Sequence, residues 1–276
     1  MAICPCAILI VTASVQGNTP KVFEAMGYGA LDVVSTPILG RAGHLTTADP
    51  LLGKIRTIAK LLGKTTRTPP LQKTPQRQNP TALGYPLVVI GASTGGPNAL
   101  ATIFSRLPSR LEAVIIVVQH IDAQFTEGFV NWLDQQSSLP VALATPGCRP
   151  QAGQILVAGT NHHLVLQADQ TLHYTANPID NPYRPSVDVF FSSVAQGASA
   201  PGVGILLTGM GRDGAFGLGH LHQAGWHTLV QDQASSVVFG MPKAAIEHGA
   251  ASSVLAMDAI APALIRQIER LTKRPQ

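Results

Sequence analysis

Three short apolar runs are each followed by a loop that carries a chemically reactive side chain. The runs are Leu87 to Ile90, Val114 to Val118 and Gly204 to Leu207, and the loops after them carry Ser93, His120 and Asp213 respectively. Short runs of β-branched and aliphatic residues are typical of buried parallel strands, and open parallel sheets gather ligands at the carboxyl ends of their strands. We therefore expect a serine, a histidine and an acid to meet along one edge of a sheet.

The composition is that of a globular chain without a membrane anchor. With 276 residues and 45% hydrophobic content, the chain can build one large α/β domain or two smaller ones. No apolar run approaches the roughly 20 residues that span a bilayer, and no basic segment precedes the apolar stretch at the start. The three cysteines form neither a disulfide framework nor a CxxC pair. We expect a cytoplasmic protein with no membrane insertion and no structural metal.

The positive net charge is concentrated in the first third of the chain. Residues 1 to 84 hold nine Lys/Arg and three Asp/Glu, whereas residues 85 to 276 hold ten and twelve. Because the predicted catalytic part has no basic excess, the charge does not predict a nucleic-acid partner. Threonines, prolines and basic residues with little apolar content between positions 64 and 84 predict a flexible linker, and an electrostatic partner for this segment is the alternative.

Two βα units precede this linker. Ala7 to Thr12 and Leu31 to Val34 predict strands, Pro20 to Met26 predicts a short helix, and the apolar spacing from Leu51 to Leu62 predicts an amphipathic helix. Two units are too few to close a sheet. We therefore expect the apolar run around Ile8 to Val11 to remain uncovered, which favours aggregation.

Ser93 lies in the sequence GASTGGP, between a predicted strand and a helical pattern. The small residues around it permit a tight strand-to-helix turn that exposes the hydroxyl at a helix N-terminus, as the GxSxG pattern of serine hydrolases does. The alternative is a glycine-rich cradle for the phosphates of a dinucleotide. The next strand ends in Gln119 and His120 instead of the acid that would bind a ribose, which favours the nucleophile.

His120 is the predicted general base for this serine. If the strands that carry Ser93 and His120 are neighbours, the imidazole can accept the serine proton and return it to the leaving group. His162 and His163 follow another predicted strand, at Ile155 to Val157, and are the alternative bases.

Asp213 is the predicted acid that orients His120, in a glycine-rich loop whose backbone N–H groups can approach a reacting atom. The N–H near Met210 is the candidate donor to the oxyanion of a tetrahedral intermediate. Asp213 is alternatively the N-cap of a helix that begins near Ala215, and Asp232 and Asp122 are the competing acids. The chain order Ser, His, Asp differs from that of α/β-hydrolases, so the site requires a different doubly wound fold.

Five sequence blocks resemble the CheB-type protein-glutamate methylesterases, a response-regulator family of chemotaxis and two-component signalling. The blocks are VVIGASTGGPNAL, VVQHI, RPSVDVFF from Arg184, LLTGMGRDGA and QDQASSVVFGMPKAA. The resemblance implies a mostly parallel, doubly wound α/β sheet with helices on both faces over residues 85–276. It also implies a catalytic triad of Ser93, His120 and Asp213, a backbone oxyanion donor at Met210, and no cofactor.

The implied reaction is hydrolysis of glutamate γ-methyl esters on the cytoplasmic helices of methyl-accepting chemoreceptors, with deamidation of receptor glutamines as a related activity. Residues 1–63 resemble the second half of a receiver domain, with Thr12 at the position of the receiver's switch hydroxyl. Their amino-acid sequence is most similar to that of the Wsp-type branch of the family. Thr36 stands where receivers carry a lysine. A histidine kinase is an expected partner if a full receiver exists. The alternatives to an esterase are a phosphate or dinucleotide-binding module and an idle scaffold that docks receptors.

Overall fold

The computed structural model describes residues 8–13, 15–30, 32–36, 51–52, 54–55 and 83–273. Its first elements are strand β1 (Leu9–Thr12), helix α1 (Val15–Gly27) and strand β2 (Asp32–Ser35). The two strands pair in parallel. These elements agree with the predicted βαβ order, although α1 begins five residues earlier than predicted.

A seven-stranded parallel sheet forms the centre of the molecule. Its strands are β3 (Leu87–Ala92), β4 (Val114–Gln119), β5 (Val141–Leu143), β6 (Ile155–Val157), β9 (Val203–Leu206), β10 (His227–Gln231) and β11 (Ser253–Leu255). In space they follow the order β11-β10-β9-β3-β4-β6-β5, and all neighbouring pairs are parallel. Strands β7 (His163–Leu166) and β8 (Leu172–Thr175) form a separate antiparallel hairpin.

Helices cover both faces of the central sheet. They are α2 (Gly96–Phe104), α3 (Ala123–Gln136), α4 (Val187–Gly197), α5 (Ala215–Gln223), α6 (Met241–Glu247) and α7 (Met257–Thr272). One hydrophobic cluster joins alternate strand residues to α1, α2, α3 and α7, and a second joins the remaining strand residues to α4, α5, α6 and the hairpin. Successive strand side chains point to opposite faces, so strands that are apolar throughout supply both cores. This confirms the predicted doubly wound fold.

The strand order brings the three predicted catalytic loops to one edge of the sheet. Strand β3 lies between β4 and β9, with Ala92 opposite Gln119 and Gly91 opposite Leu206. Because all three strands run in the same direction, their carboxyl ends meet at that edge. Ser93, His120 and Asp213 follow these ends directly or within one short loop.

Helix α1 packs against the helices on one face of the central sheet. Phe23 is fully buried, with its ring centroid 5.4 Å from that of Phe129 and 5.9 Å from that of Trp132, both on α3. The Asn98 side chain on α2 donates a hydrogen bond to the main-chain carbonyl of Met26 at 2.6 Å. The N-terminal segment therefore shares the core of the larger sheet, which the sequence did not predict.

Part of the predicted N-terminal organisation falls outside the described residues. This applies to the linker up to residue 82 and to most of the amphipathic helix over 51–62, of which only residues 51, 52, 54 and 55 are described, all helical. Within β1 and just before it, Val11 and Ile8 are 48% and 40% exposed. Within the part of the chain that the structure describes, no helix is both long and apolar enough to cross a membrane.

Candidate active site

Ser93 occupies a tight turn between β3 and α2. Its backbone N–H donates to the Thr208 carbonyl at 3.0 Å, and its own carbonyl accepts from Gly96 N–H at 2.7 Å. Gly95 has φ +79°, and a Cβ there would lie 2.7 Å from the Cβ of Val237, so the turn requires glycine both for its backbone conformation and for space. Pro97 follows in the first turn of α2, where its missing N–H costs nothing.

Gln119 ties the end of β4 to this turn. Its side-chain Nε2 donates to the Ser93 carbonyl at 2.9 Å and to the His120 carbonyl at 3.3 Å. The side chain is buried, and its Oε1 has no hydrogen-bond partner among the residues described. Gln119 thereby holds the main chain at Ser93 and at His120 in one fixed relationship.

His120 is oriented by Asp213 and by Tyr183. Its Nε2 lies 2.7 Å from Oδ2 of Asp213. The Tyr183 ring stacks on the imidazole, with centroids 4.8 Å apart and planes 12° from parallel. An imidazole that donates its Nε2–H to a carboxylate presents the lone pair of Nδ1, which is the nitrogen that can act as a base.

The carboxylate of Asp213 is buried at the N-terminus of α4. Oδ1 accepts from the Ser186 hydroxyl at 2.7 Å and from Asp188 N–H at 3.0 Å, while Oδ2 also accepts from Val187 N–H at 2.6 Å. Unpaired N–H groups and the helix dipole make such a terminus favourable for an anion. Asp213 therefore does not cap α5, as one alternative expected; the N-cap of α5 is Gly214, without a side-chain cap.

The pKa values of two carboxyl groups at this helix terminus are shifted in opposite directions. Burial alone would raise the pKa of Asp213, but the hydrogen bond and charge of His120, together with the Ser186 hydroxyl, hold that pKa below its ordinary value. Burial, and then the negative charge of Asp213, raise the pKa of Asp188 to about 7. Asp213 is thus the ionised partner of His120, and a second ionised carboxylate beside it is disfavoured.

The remaining contact of a triad, between Ser93 and His120, is not formed in this structure. The Ser93 hydroxyl makes no hydrogen bond with any described residue, and Nδ1 of His120 likewise has no partner within the described ranges. The two residues are held by adjacent strands, since His120 N–H donates to the Ala92 carbonyl at 3.1 Å. Catalytic hydrogen bonds of this kind are often long or unformed without substrate.

Met210 lies in the loop between β9 and α5, beside the serine turn. Neighbouring Gly209 donates to the Val238 carbonyl at 3.0 Å and accepts from Met241 N–H at 2.9 Å. A Cβ at Gly209 would lie 2.8 Å from the Cβ of Ser93, which shows how closely this loop approaches the nucleophile. The Met210 N–H itself makes no hydrogen bond to any of the described residues.

The alternative site residues have other roles. Asp122 is the N-cap of α3 and accepts from Gln124 N–H, and Asp232 accepts from Ser235 within its own loop. His162 is exposed, whereas His163 is fully buried with hydrogen bonds at both ring nitrogens. None of the four contacts Ser93 or His120.

Sequence reasoning missed Tyr183, Ser186 and Gln119 as parts of the site. Ser186 precedes a helical pattern and so carries an N-cap signal, but no local signal says that the same helix end receives a carboxylate 27 residues later. Tyr183 lies in an irregular loop, and no periodic pattern in the sequence marks its stacking on His120. Among the described residues, no group of His, Cys, Asp or Glu is arranged to hold a metal ion.

Comparison with known proteins identifies the family. The CheB methylesterase model matches residues 88–264. A relative from Burkholderia orbicola (strain AU 1054), named protein-glutamate methylesterase/protein-glutamine glutaminase 3, is 52% identical over 99% of this chain and 80% of its own length. The chain belongs to the CheB methylesterase family.

A further relative is similar over most of the chain, and a solved structure is similar over about two thirds of it. A Bordetella avium (strain 197N) protein, named protein-glutamate methylesterase/protein-glutamine glutaminase 1, is 50% identical over 96% of this chain and 76% of its own length. The crystal structure of the Thermotoga maritima CheB methylesterase catalytic domain superimposes with a TM-score of 0.63 at 36% identity, and covers 66% of this chain and 98% of that domain. The CheB fold thus accounts for the seven-stranded sheet and its helices.

Proposed function

We propose that Ser93, His120 and Asp213 of this CheB methylesterase hydrolyse glutamate γ-methyl esters on methyl-accepting chemoreceptors. The observation that carries the proposal is the 2.7 Å contact between His120 Nε2 and the buried Asp213 carboxylate, at the strand end next to the Ser93 turn. The names of the relatives support both the methylesterase and the glutaminase activity.

In the proposed reaction, the Ser93 oxygen attacks the side-chain ester carbonyl while its proton passes to Nδ1 of His120. The Met210 N–H stabilises the oxyanion of the tetrahedral intermediate, and the negative charge of Asp213 stabilises the imidazolium. His120 then returns the proton to the departing methoxide, so methanol leaves and a glutamyl ester of Ser93 remains. Water, deprotonated by His120, hydrolyses that ester and restores the enzyme with glutamate as product.

Deamidation of receptor glutamines uses the same sequence of steps. The amide carbonyl replaces the ester carbonyl, and His120 protonates the leaving nitrogen so that ammonia departs in place of methanol. Both reactions pass through the same acyl-enzyme and therefore require the same three side chains.

The proposed organisation of the chain follows from this assignment. Residues 85–276 form the methylesterase domain, residues 64–84 are a linker, and residues 1–63 are a partial receiver-like segment. The family match, which begins at residue 88, supports the first boundary. We place the enzyme in the cytoplasm, where the methylated receptor helices are its substrate and a histidine kinase is the partner of a complete receiver.

Replacement of the nucleophile tests the function. The Ser93→Ala variant should release no methanol from a methylated chemoreceptor preparation, and a fluorophosphonate probe should label the wild-type protein but not the variant. Ser105→Ala is a matched control, because Ser105 is an exposed serine at the C-terminus of α2 and its hydroxyl bonds only the Thr102 carbonyl. Methanol release by Ser93→Ala near the wild-type rate would remove Ser93 from the nucleophile role.

Wild-type protein and the Ser93→Ala variant also test the alternative of a dinucleotide-binding module. A titration with nicotinamide nucleotides should show no saturable binding to the wild-type protein. Saturable binding that Ser93→Ala abolishes would instead favour a phosphate cradle at the serine turn.

A further inference from the structure

A second histidine, His163, is connected to the site without reaching the reacting atoms. It is the first residue of β7, in the hairpin outside the main sheet, and is completely buried. Its Nδ1 accepts a hydrogen bond from Ser186 N–H at 3.2 Å, and its Nε2 lies 3.3 Å from the Pro178 carbonyl, to which it donates. Both nitrogens are therefore occupied, and the imidazole has one defined tautomer.

The Ser186 end of this contact leads directly to Asp213. The Ser186 hydroxyl donates to Oδ1 of Asp213 at 2.7 Å, and Oδ2 of the same carboxylate contacts His120 Nε2 at 2.7 Å. The chain of contacts thus runs from His163 through Ser186 and Asp213 to His120. A shift of the Ser186 backbone would move both the hydroxyl and the neighbouring N–H groups that hold the carboxylate.

The surroundings of His163 favour its neutral form, which the contact with Ser186 requires. Burial lowers the pKa of His163, and the nearby positive charges of Arg184 and His162 act in the same direction, against the Pro178 carbonyl and the negative charge of Asp213. If Nδ1 of His163 were protonated, two N–H donors would face each other and the hydrogen bond from Ser186 N–H would be lost. Neutral His163 is consequently compatible with the arrangement at Asp213.

We propose that His163 is a positioning residue, which fixes Ser186 and through it the carboxylate that orients His120. The proposal rests on the proposed function of Ser93, His120 and Asp213, and it adds a fourth side chain that touches neither substrate nor the reacting atoms. The oxygen of an asparagine side chain lies where Nδ1 of a histidine does, so Asn can accept from Ser186 N–H. Phenylalanine keeps a planar ring but offers no acceptor.

The test compares His163→Phe with His163→Asn in the full chain. Fluorophosphonate titration gives the concentration of competent sites, and methanol release from methylated receptor gives kcat and KM per competent site. We expect His163→Phe to lower kcat at least tenfold with KM changed less than twofold, and His163→Asn to restore kcat to within threefold of wild type. His162→Asn, at the exposed neighbour, is the control and should match the wild type.

Two further readouts separate positioning from simple support of the fold. The acidic limb of the kcat/KM profile reports protonation of the general base, and we expect its midpoint to shift in His163→Phe but not in His163→Asn. Should His163→Phe fail to fold, His163→Leu replaces it, because leucine also offers no acceptor to the Ser186 N–H. Ser186→Ala keeps that N–H and removes only the hydroxyl contact with Asp213, so it measures the second step of the chain separately.

The proposal is overturned if the folded His163→Phe or His163→Leu variant retains kcat within twofold of wild type and an unchanged acidic limb. Failure of the proposed function is a different outcome, since it appears as methanol release by Ser93→Ala. Hydrogen exchange at the Val187 and Asp188 amides needs no turnover. Faster exchange in His163→Phe than in His163→Asn supports the loss of the contact with Asp213, and equal exchange contradicts it.

Discussion

Asp213 meets His120 at Nε2, so the nitrogen that remains for the Ser93 proton is Nδ1. Serine proteases use the two imidazole nitrogens in the opposite sense. The proposed roles of His120 as base and of Asp213 as orienting acid are compatible with this geometry, because either ring nitrogen can donate to a carboxylate while the other accepts a proton. The position of the carboxylate, at the N-terminus of α4, decides which nitrogen is used.

Asp213→Asn should therefore lower kcat by about 10³- to 10⁴-fold, since a neutral amide neither fixes the tautomer nor stabilises an imidazolium. KM should change little, because Asp213 is buried beneath His120. Methanol release under saturating receptor measures the effect. Asp232→Asn is the control and should retain wild-type kcat, because the Asp232 carboxylate accepts hydrogen bonds only from Ser235 in its own loop. Retention of more than a tenth of the activity by Asp213→Asn would contradict the assignment.

Gly209→Ala should impair both folding and turnover. The added Cβ would lie 2.2 Å from Sδ of buried Met241 and 2.8 Å from the Cβ of Ser93. Overpacking of this kind costs about 1–3 kcal/mol of stability, and here it also displaces the nucleophile. Urea unfolding and methanol release measure the two effects. Gly219→Ala on α5 is the control and should leave activity unchanged, because the nearest atom to its added Cβ is a His248 ring carbon at 3.2 Å. Equal losses of methanol release in both variants would show that proximity to Ser93 is irrelevant.

Asp188→Asn should change how stability depends on pH. The pKa of Asp188 is raised to about 7 in the folded protein, so its contribution is fully present below about pH 4 and is lost as pH rises towards 7. Asn remains neutral and can still accept from Gly217 N–H, which Asp188 Oδ1 binds at 2.7 Å. The free energy of unfolding of the variant, relative to wild type, should rise between pH 5 and pH 8 by on the order of 2 kcal/mol. Urea unfolding at the two pH values measures this, and a difference that is independent of pH would refute it.

Phe23→Ala should destabilise the catalytic sheet as well as the N-terminal segment. Phe23 is fully buried against Phe129 and Trp132, and removal of such a ring costs about 3–5 kcal/mol. A single cooperative urea transition at a lower midpoint is the expected result. Tyr28→Ala, at a side chain 80% exposed, should change stability by less than about 0.5 kcal/mol. An early separate transition in Phe23→Ala, with the main one unchanged, would show that the segment is energetically independent.

The strand ends made much of the site predictable from the sequence. Continuous apolar runs identified β3, β4 and β9, and the first polar groups after them, Ser93 and His120, follow from the rule that parallel strands present their carboxyl ends at one edge. The order of the strands was not predictable in the same way. That β3 lies between β4 and β9 depends on crossover connections, which no local pattern encodes.

The groups that bind the Asp213 carboxylate were harder to predict from the sequence. A helix N-cap was the alternative role for Asp213, and a helix N-terminus does bind its carboxylate, but that helix is α4 and not the one that follows it in the chain. Local capping signals describe a residue's own helix. Ser186 and Tyr183 reach the site through tertiary contacts, so their residue types alone did not distinguish them from ordinary core or loop positions. His163 was predicted only as an alternative base.

The packing of Phe23 on α3 makes helix α1 and the esterase subject to common selection. A destabilising substitution on the inner face of α1 would lower the abundance of active enzyme, even though no atom of that helix takes part in the proposed chemistry. Natural variation in this segment should accordingly preserve the aromatic and aliphatic surface at Val22, Phe23 and Met26 while the outward positions drift freely.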